Sequence, residues 1–248
     1  MRYLLKLTYD GTAYHGWQIQ TNAVSVQGEL QSVLTEILDK PIETVGCGRT
    51  DTGVHASMYF AQFDAEDELG DRFMLRANFM LPADIRLLTI QQVPETFNAR
   101  FDARSRSYEY ILNFVPNPFT HKYSLLLYNQ PNFQLMNEAA SLLLNHSTFT
   151  SFSKSGSDQK TDRCKITIAE WRPYQDGIWK FHISADRFLR GMVRAIVGTL
   201  LDVGYGKTSI ENFNEIIESK DRTKAGASVA AHALFLCDIQ YPTHKLTL

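Results

Sequence analysis

The sequence predicts an α+β protein built from two α/β domains. Three observations lead there. Each half runs strand, helix and further strands in a similar order; a mostly polar segment with aromatics, residues 94–106, separates the halves; and a composition of 44% hydrophobic and 21% charged residues is that of an ordinary globular chain. At 248 residues the chain is long enough for two small domains, each with a core. We assign residues 1–105 to the first domain and 106–248 to the second. A cleft between two such domains is a common place for a site.

The elements follow in order. Tyr3 to Tyr9 is rich in Leu and aromatic residues and ends at Asp10-Gly11, so it reads as a strand. Ser25 is a good N-cap, and Val26, Leu30, Val33, Leu34, Ile37 and Leu38 recur at helical spacing until Pro41. Glu43 to Cys47 predicts a short strand into a Gly-rich turn, and Met58 to Phe63 the strand after it. A helix is expected over Asp71 to Phe79. In the second half, Ser107 to Phe114 alternates as a strand would, and Phe133 to Asn145 carries a helical apolar pattern. Serine-rich Ser151 to Asp158 predicts a mobile loop. Strands are expected over Lys165 to Pro173 and Ile178 to Ser184, joined through Asp176-Gly177. A long helix from Arg187 to Val203, a shorter one from Ser209 to Ser219 and a strand over Leu234 to Tyr241 complete the chain.

Composition excludes some classes. No run of 18 apolar residues exists, and the apolar stretch at the start is far too short for a signal peptide, so no membrane association is expected. Cys47, Cys164 and Cys237 are odd in number and contain no C-x-x-C pair, which fits a reducing, cytoplasmic setting. Net charge is −2, so any RNA-binding face must gather its basic residues locally. Arg100, Arg104 and Arg106 lie close around Phe101 and Tyr108, while Asp64, Glu66, Asp67, Glu68 and Asp71 form an acidic cluster. Composition alone is neutral on RNA.

Two glycine motifs imitate nucleotide-binding loops and fail. In Gly46-Cys47-Gly48-Arg49-Thr50-Asp51-Thr52-Gly53 the third glycine position of G-x-G-x-x-G holds Asp51, whose charge would repel a pyrophosphate. Before Gly204-Tyr205-Gly206-Lys207-Thr208, the required upstream glycine is Leu201. Both stretches read as turns that need glycine for φ > 0. No Cys/His cluster or H-E-x-x-H exists, so neither a metal nor a nucleotide cofactor is expected.

Asp51 admits two readings, an Asx-turn or surface ion pair, and a carboxylate held on a strand-to-loop corner. Arg49, two residues away, would keep such a carboxylate ionised, as a nucleophile or base requires. Along the expected 187–203 helix, Phe188, Leu189, Met192, Val193, Ile196, Val197 and Leu200 share one broad side. Arg187, Arg190 and Arg194 share the other. A basic stripe is ordinarily a solvated face. Gly191 and Gly198 lie on that same side, each costing about 1 kcal/mol relative to alanine in a helix, which makes sense if a backbone or substrate comes close. Tyr108 reads equally as a core strand aromatic and as a ring stacking on a base beside phosphate-binding arginines.

Four segments together resemble one family, the tRNA pseudouridine synthase A type. Tyr9-Asp10-Gly11-Thr12-Ala13-Tyr14-His15-Gly16-Trp17-Gln18 is similar to its amino-terminal signature, and Gly48-Arg49-Thr50-Asp51-Thr52-Gly53-Val54-His55-Ala56 to its catalytic loop. Arg106-Ser107-Tyr108-Glu109-Tyr110 resembles the strand of its active-site tyrosine, and Met192 to Gly198 the helix of its active-site arginine. Thr52 stands where the family more often has alanine, and Ala195 where asparagine is common. Residues 220–236 are also similar, although Ala227 to Ala233 departs from the family's Pro- and Gly-containing version. The resemblance implies two RRM-like α/β domains forming a pseudouridine synthase fold with a central cleft. It implies isomerisation of uridine to pseudouridine in the anticodon stem-loop of tRNA, at positions 38, 39 and 40, without a cofactor, by a homodimer whose tRNA crosses both subunits. Asp51 would be the nucleophile or base, Tyr108 would pack on the target base, Arg194 would pair with Asp51, and Arg49 would hold the place of the flipped-out nucleotide. Rival readings are a synthase with another RNA target, an inactive RNA-binding protein or chaperone, and a nucleotide-binding enzyme.

Overall fold

The structure is a computed structural model and describes residues 1–154 and 161–246. Along the chain run β1 (Arg2–Tyr9), α1 (Val26–Leu38), β2 (Val45–Gly46), β3 (His55–Asp64), α2 (Phe73–Met80), β4 (Ile85–Val93) and β5 (Ser105–Asn113). Then come β6 (Leu125–Leu126), α3 (Phe133–Leu142), β7 (Ile166–Gln175), β8 (Ile178–Ala185), α4 (Met192–Gly204), α5 (Ile210–Ser219), β9 (Leu234–Gln240) and α6 (Thr243–Leu246). The chain separates into two compact units. The first is Met1–Ser105 with the carboxy-terminal segment from Phe235 onward; the second is Arg106–Leu234. Residues from Phe235 on, assigned above to the second domain, thus cluster with the first unit.

In the first unit β1 lies between β3 and β4 and runs antiparallel to both, with Leu5 opposite Ala61 on one side and Ile90 on the other. The far edge of β3 is shared: β2 pairs antiparallel at Val45–Gln62, and β9 pairs parallel at His55–Phe235. Strand period 2 sends Tyr3, Leu5, Leu7 and Tyr9 to one face, where Phe63 stacks on Phe73 of α2. Leu4 faces the opposite side and joins Val93, Phe97 and Ala99 in a core closed by Phe60, Tyr241 and Leu246. The Tyr241 hydroxyl donates to the Ala99 carbonyl at 2.6 Å, tying β9's far end to this core. The polar 94–106 segment that separates the halves in sequence is itself anchored: Phe97, Ala99 and Ala103 are buried, and Arg2 donates to the Phe97 carbonyl at 2.7 Å. Ser25 caps α1 as expected, its hydroxyl accepting from the Gly28 amide. Asp39, in the left-handed region, ends that helix before Pro41.

In the second unit β8 lies between β5 and β7, antiparallel to both, with Ile183 opposite Tyr108 and Ala169. Phe133 of α3 stacks flat on Trp179 at 3.7 Å, and Asn137 clasps the backbone of Trp171 from both sides. The last turn of the expected 133–145 helix tightens into a 3₁₀ turn at Leu143–Asn145. One expectation fails here, and a second is contradicted only over its first residues. The helix expected from Arg187 begins at Met192, because Gly191 takes φ +71° and interrupts the helical path. Arg187 and Arg190 therefore lie outside the helix and form no helical stripe with Arg194. Of the loop expected over 151–158, Ser151 and Phe152 are buried in a short 3₁₀ turn, while residues 155–158 lie outside the described residues.

Candidate active site

The amino-terminal segment of the first unit forms a bed for the 48–55 loop. Tyr9 ends β1, and the chain then turns through Gly11 to Trp17 before entering α1. A side chain at Gly11 would overlap the Val54 carbonyl, and one at Gly16 the Thr50 carbonyl, so the two segments touch backbone to backbone. Gly16 also takes φ +87°, a region open to glycine at little cost. The contact is hydrogen-bonded along its length. Trp17 donates its amide to Thr50 at 3.4 Å, Gly53 donates to Tyr14 at 3.2 Å, and Val54 donates within the loop to Asp51 at 3.1 Å.

Aromatic rings support the loop from beneath. Trp17 is fully enclosed and stacks on Tyr59 at 4.2 Å, with Tyr9 tilted against both. Gly46 lies against the Tyr59 hydroxyl and the Trp17 indole nitrogen, where any side chain would collide. Glycine is thus required by space at Gly46 and by φ at Gly53 (+75°), while Gly48 meets neither demand. The second imitation motif divides similarly: Gly206 takes φ +71°, and Gly204 abuts Met136 and Pro131.

On this support Arg49 is exposed, Thr50 buried and Asp51 half-buried. Asp51 thus stands half-buried on a corner whose backbone is held by its neighbours. His55 is buried at the start of β3, with Nδ1 3.0 Å from both the Gly11 amide nitrogen and an Asp10 carboxylate oxygen, and its ring stacks on Phe235 at 4.6 Å. These contacts stitch the far end of the loop to the same amino-terminal bed. Sequence reasoning singled out Asp51 and Arg49 and missed Tyr9, Thr50 and Tyr59. The signal that was available is the glycine pair Gly11 and Gly16 beside Trp17, which marks a close backbone approach.

In the second unit Tyr108 is half-buried on β5, its ring edge-on to Phe188 at 5.1 Å. Arg106 donates to the Asp186 carbonyl at 2.8 Å. Arg194, in the first turn of α4, is held by the chain that crosses the helix: its Nε donates to the Val229 carbonyl at 2.7 Å, and the Val229 amide returns a bond at 3.2 Å. A side chain at Gly198 would overlap the Ala227 carbonyl, so the backbone expected near this glycine is residues 226–229 of the chain itself. Burial pushes the Tyr110 hydroxyl well above its ordinary value, with the nearby Arg194 charge acting against it. Burial likewise holds the Cys164 thiol protonated, pushed up to about 12. Among the described residues no helix is long and apolar enough to cross a membrane.

Comparison with known proteins adds the following. A family model described as tRNA pseudouridine synthase matches residues 139–242. The chain is 49% identical over 243 residues to tRNA pseudouridine synthase A of Bacteroides fragilis, spanning 97% of this chain and 96% of that protein. It is 48% identical over 246 residues to the protein of that name from Porphyromonas gingivalis, covering 98% of each. It is 42% identical over 241 residues to that of Clostridium acetobutylicum, at 96% and 98% coverage.

Proposed function

The chain belongs to the tRNA pseudouridine synthase A family, and from that premise we propose how and where it acts. It isomerises uridine to pseudouridine in tRNA. The target we propose is the anticodon stem-loop, at positions 38, 39 and 40. A uridine there must leave its stack before its glycosidic bond can be reached, at a cost of a few kcal/mol. Arg49, exposed beside the carboxylate, occupies the vacated space and meets phosphate. Asp51 acts at the ribose, by attack at C1′ or by removal of the 2′ proton, and the uracil is released from N1. Tyr108 packs on the loose base while it turns and rejoins through C5. The hydrogen lost at C5 is matched by the one gained at N1, so the formula is unchanged and the sequence of steps calls for no redox or group-transfer cofactor. Arg194 is the cation proposed to pair with Asp51.

The observation that carries this reading is the half-buried Asp51 on a corner pinned by the Tyr9–Trp17 segment. We further propose a cytoplasmic homodimer that holds one tRNA across both subunits. Mapping pseudouridine in total tRNA from cells with and without the gene tests the target: loss confined to positions 38 to 40 is expected, and loss elsewhere refutes the assignment. Sedimentation of the purified protein tests the dimer.

A further inference from the structure

We propose that the Tyr9 and Tyr59 hydroxyls, with the Thr50 side chain, are positioning groups that fix where Arg49 and Asp51 stand, an inference that rests on Asp51 being catalytic. Tyr9 Oη and Thr50 Oγ1 share a buried hydrogen bond of 2.8 Å. The Tyr59 hydroxyl donates to the Gly48 carbonyl. These anchors bracket Arg49 and lie immediately before Asp51, one on a side chain and one on the backbone.

The two tyrosines are themselves tightly packed. They come from neighbouring strands, β1 and β3, their rings meet at 5.6 Å, and both lean on the enclosed Trp17. Both rings are almost wholly buried, so each hydroxyl is presented at one place only. Between Gly46 and His55 the loop has no helix or strand of its own and is held from outside, by backbone bonds to the Tyr9–Trp17 segment and by these two hydroxyls. Two rigid phenols therefore do for this loop what rungs do for a strand. Misplacing a reacting group by about 1 Å costs roughly 100-fold in rate, so losing one anchor is expected to show in turnover rather than in binding.

Tyr9→Phe, Tyr59→Phe and Thr50→Val each delete one anchor and leave the ring or branch that fills the space. We expect kcat for pseudouridine formation to fall about 10- to 100-fold in each, with KM for tRNA within about twofold of wild type. Thr50→Ser keeps the hydroxyl and is expected to retain kcat within about twofold. Tyr9→Phe combined with Thr50→Val should cost no more than the worse single variant, because both remove one shared bond. Thermal melts and Asp51→Asn run in parallel. A variant set that melts earlier but turns over at the wild-type rate, or a Thr50→Ser as slow as Thr50→Val, overturns the proposal. An active Asp51→Asn would instead overturn the catalytic assignment beneath it, and the two failures are thus told apart.

Discussion

Arg194 and Val229 grip each other twice, guanidinium Nε to carbonyl and amide to carbonyl, so the 226–229 segment is fastened across α4. Gly226 adds a third tie, its amide donating to Thr199 Oγ1 at 2.9 Å. The contact works only because Gly198 lacks a side chain where the Ala227 carbonyl passes.

Gly198→Ala should therefore destabilise the protein. Alanine ordinarily favours a helix by about 1 kcal/mol over glycine. Here the overlap with the Ala227 oxygen reverses the sign, and a loss of about 1–3 kcal/mol is expected by analogy with overpacked cores. Gly70→Ala, where an added side chain meets open space, should stay within about 0.5 kcal/mol of wild type. Melting curves of the two variants check this; equal Tm values would show that residues 226–229 move aside freely.

Asp51→Asn should abolish pseudouridine formation while leaving tRNA affinity within a few fold. The amide is nearly the same size but cannot act as a nucleophile or base. Single-turnover assays beside filter binding separate the two effects. Modification at the normal rate by the variant would remove Asp51 from the mechanism.

Tyr108→Phe should keep most of the activity, because edge-to-face packing on Phe188 and stacking on a base both need only the ring. Tyr108→Ala should lose most of it. If the phenylalanine variant falls as far as Asp51→Asn, the hydroxyl takes part in the chemistry and a packing role is wrong.

Stability should carry an acid-sensitive part from Arg2 and Asp64. The Arg2 side chain, donating at 2.8 Å to each oxygen, holds the Asp64 carboxyl below its ordinary value. A carboxyl depressed in the folded state contributes stability above its unfolded pKa, near 4, and loses it as pH falls through the lower folded value. With 61% of the Asp64 side chain exposed, the contribution is below about 1 kcal/mol. Asp64→Asn should melt slightly earlier than wild type between about pH 5 and 7, and the gap should close below about pH 4. A gap that persists unchanged to pH 2.5 would place the effect elsewhere.

Much of this architecture was legible because local signals agreed with tertiary need. Ser25 and the apolar rhythm of Val26 to Leu38 marked α1, since a capped helix with one buried face announces both in sequence. β4 went unread. It is an edge strand whose Arg86, Leu88 and Thr89 are exposed, so Ile85 to Val93 never alternates cleanly. The start of α4 was misplaced because apolar spacing runs on through Phe188 and Leu189, and only the conformation of Gly191 marks the break. At the site, Asp51 stood out through the company of residues far along the chain. The supports at Tyr9 and Tyr59 did not, because a strand tyrosine that fills a core and one that also holds a loop look alike in sequence.

The division of the chain also sets an order of events on the ribosome. Because Phe235 onward belongs with Met1–Ser105, the first unit receives its last strand only after every residue of the second has been made. Until then the core around Leu4, Phe97 and Phe60 lacks Tyr241, and the ring of His55 lacks Phe235. Domains generally mature as units during synthesis, the earlier one first. Here that sequence is inverted at the finish: the half that carries Asp51 is the first to emerge and the last to be completed.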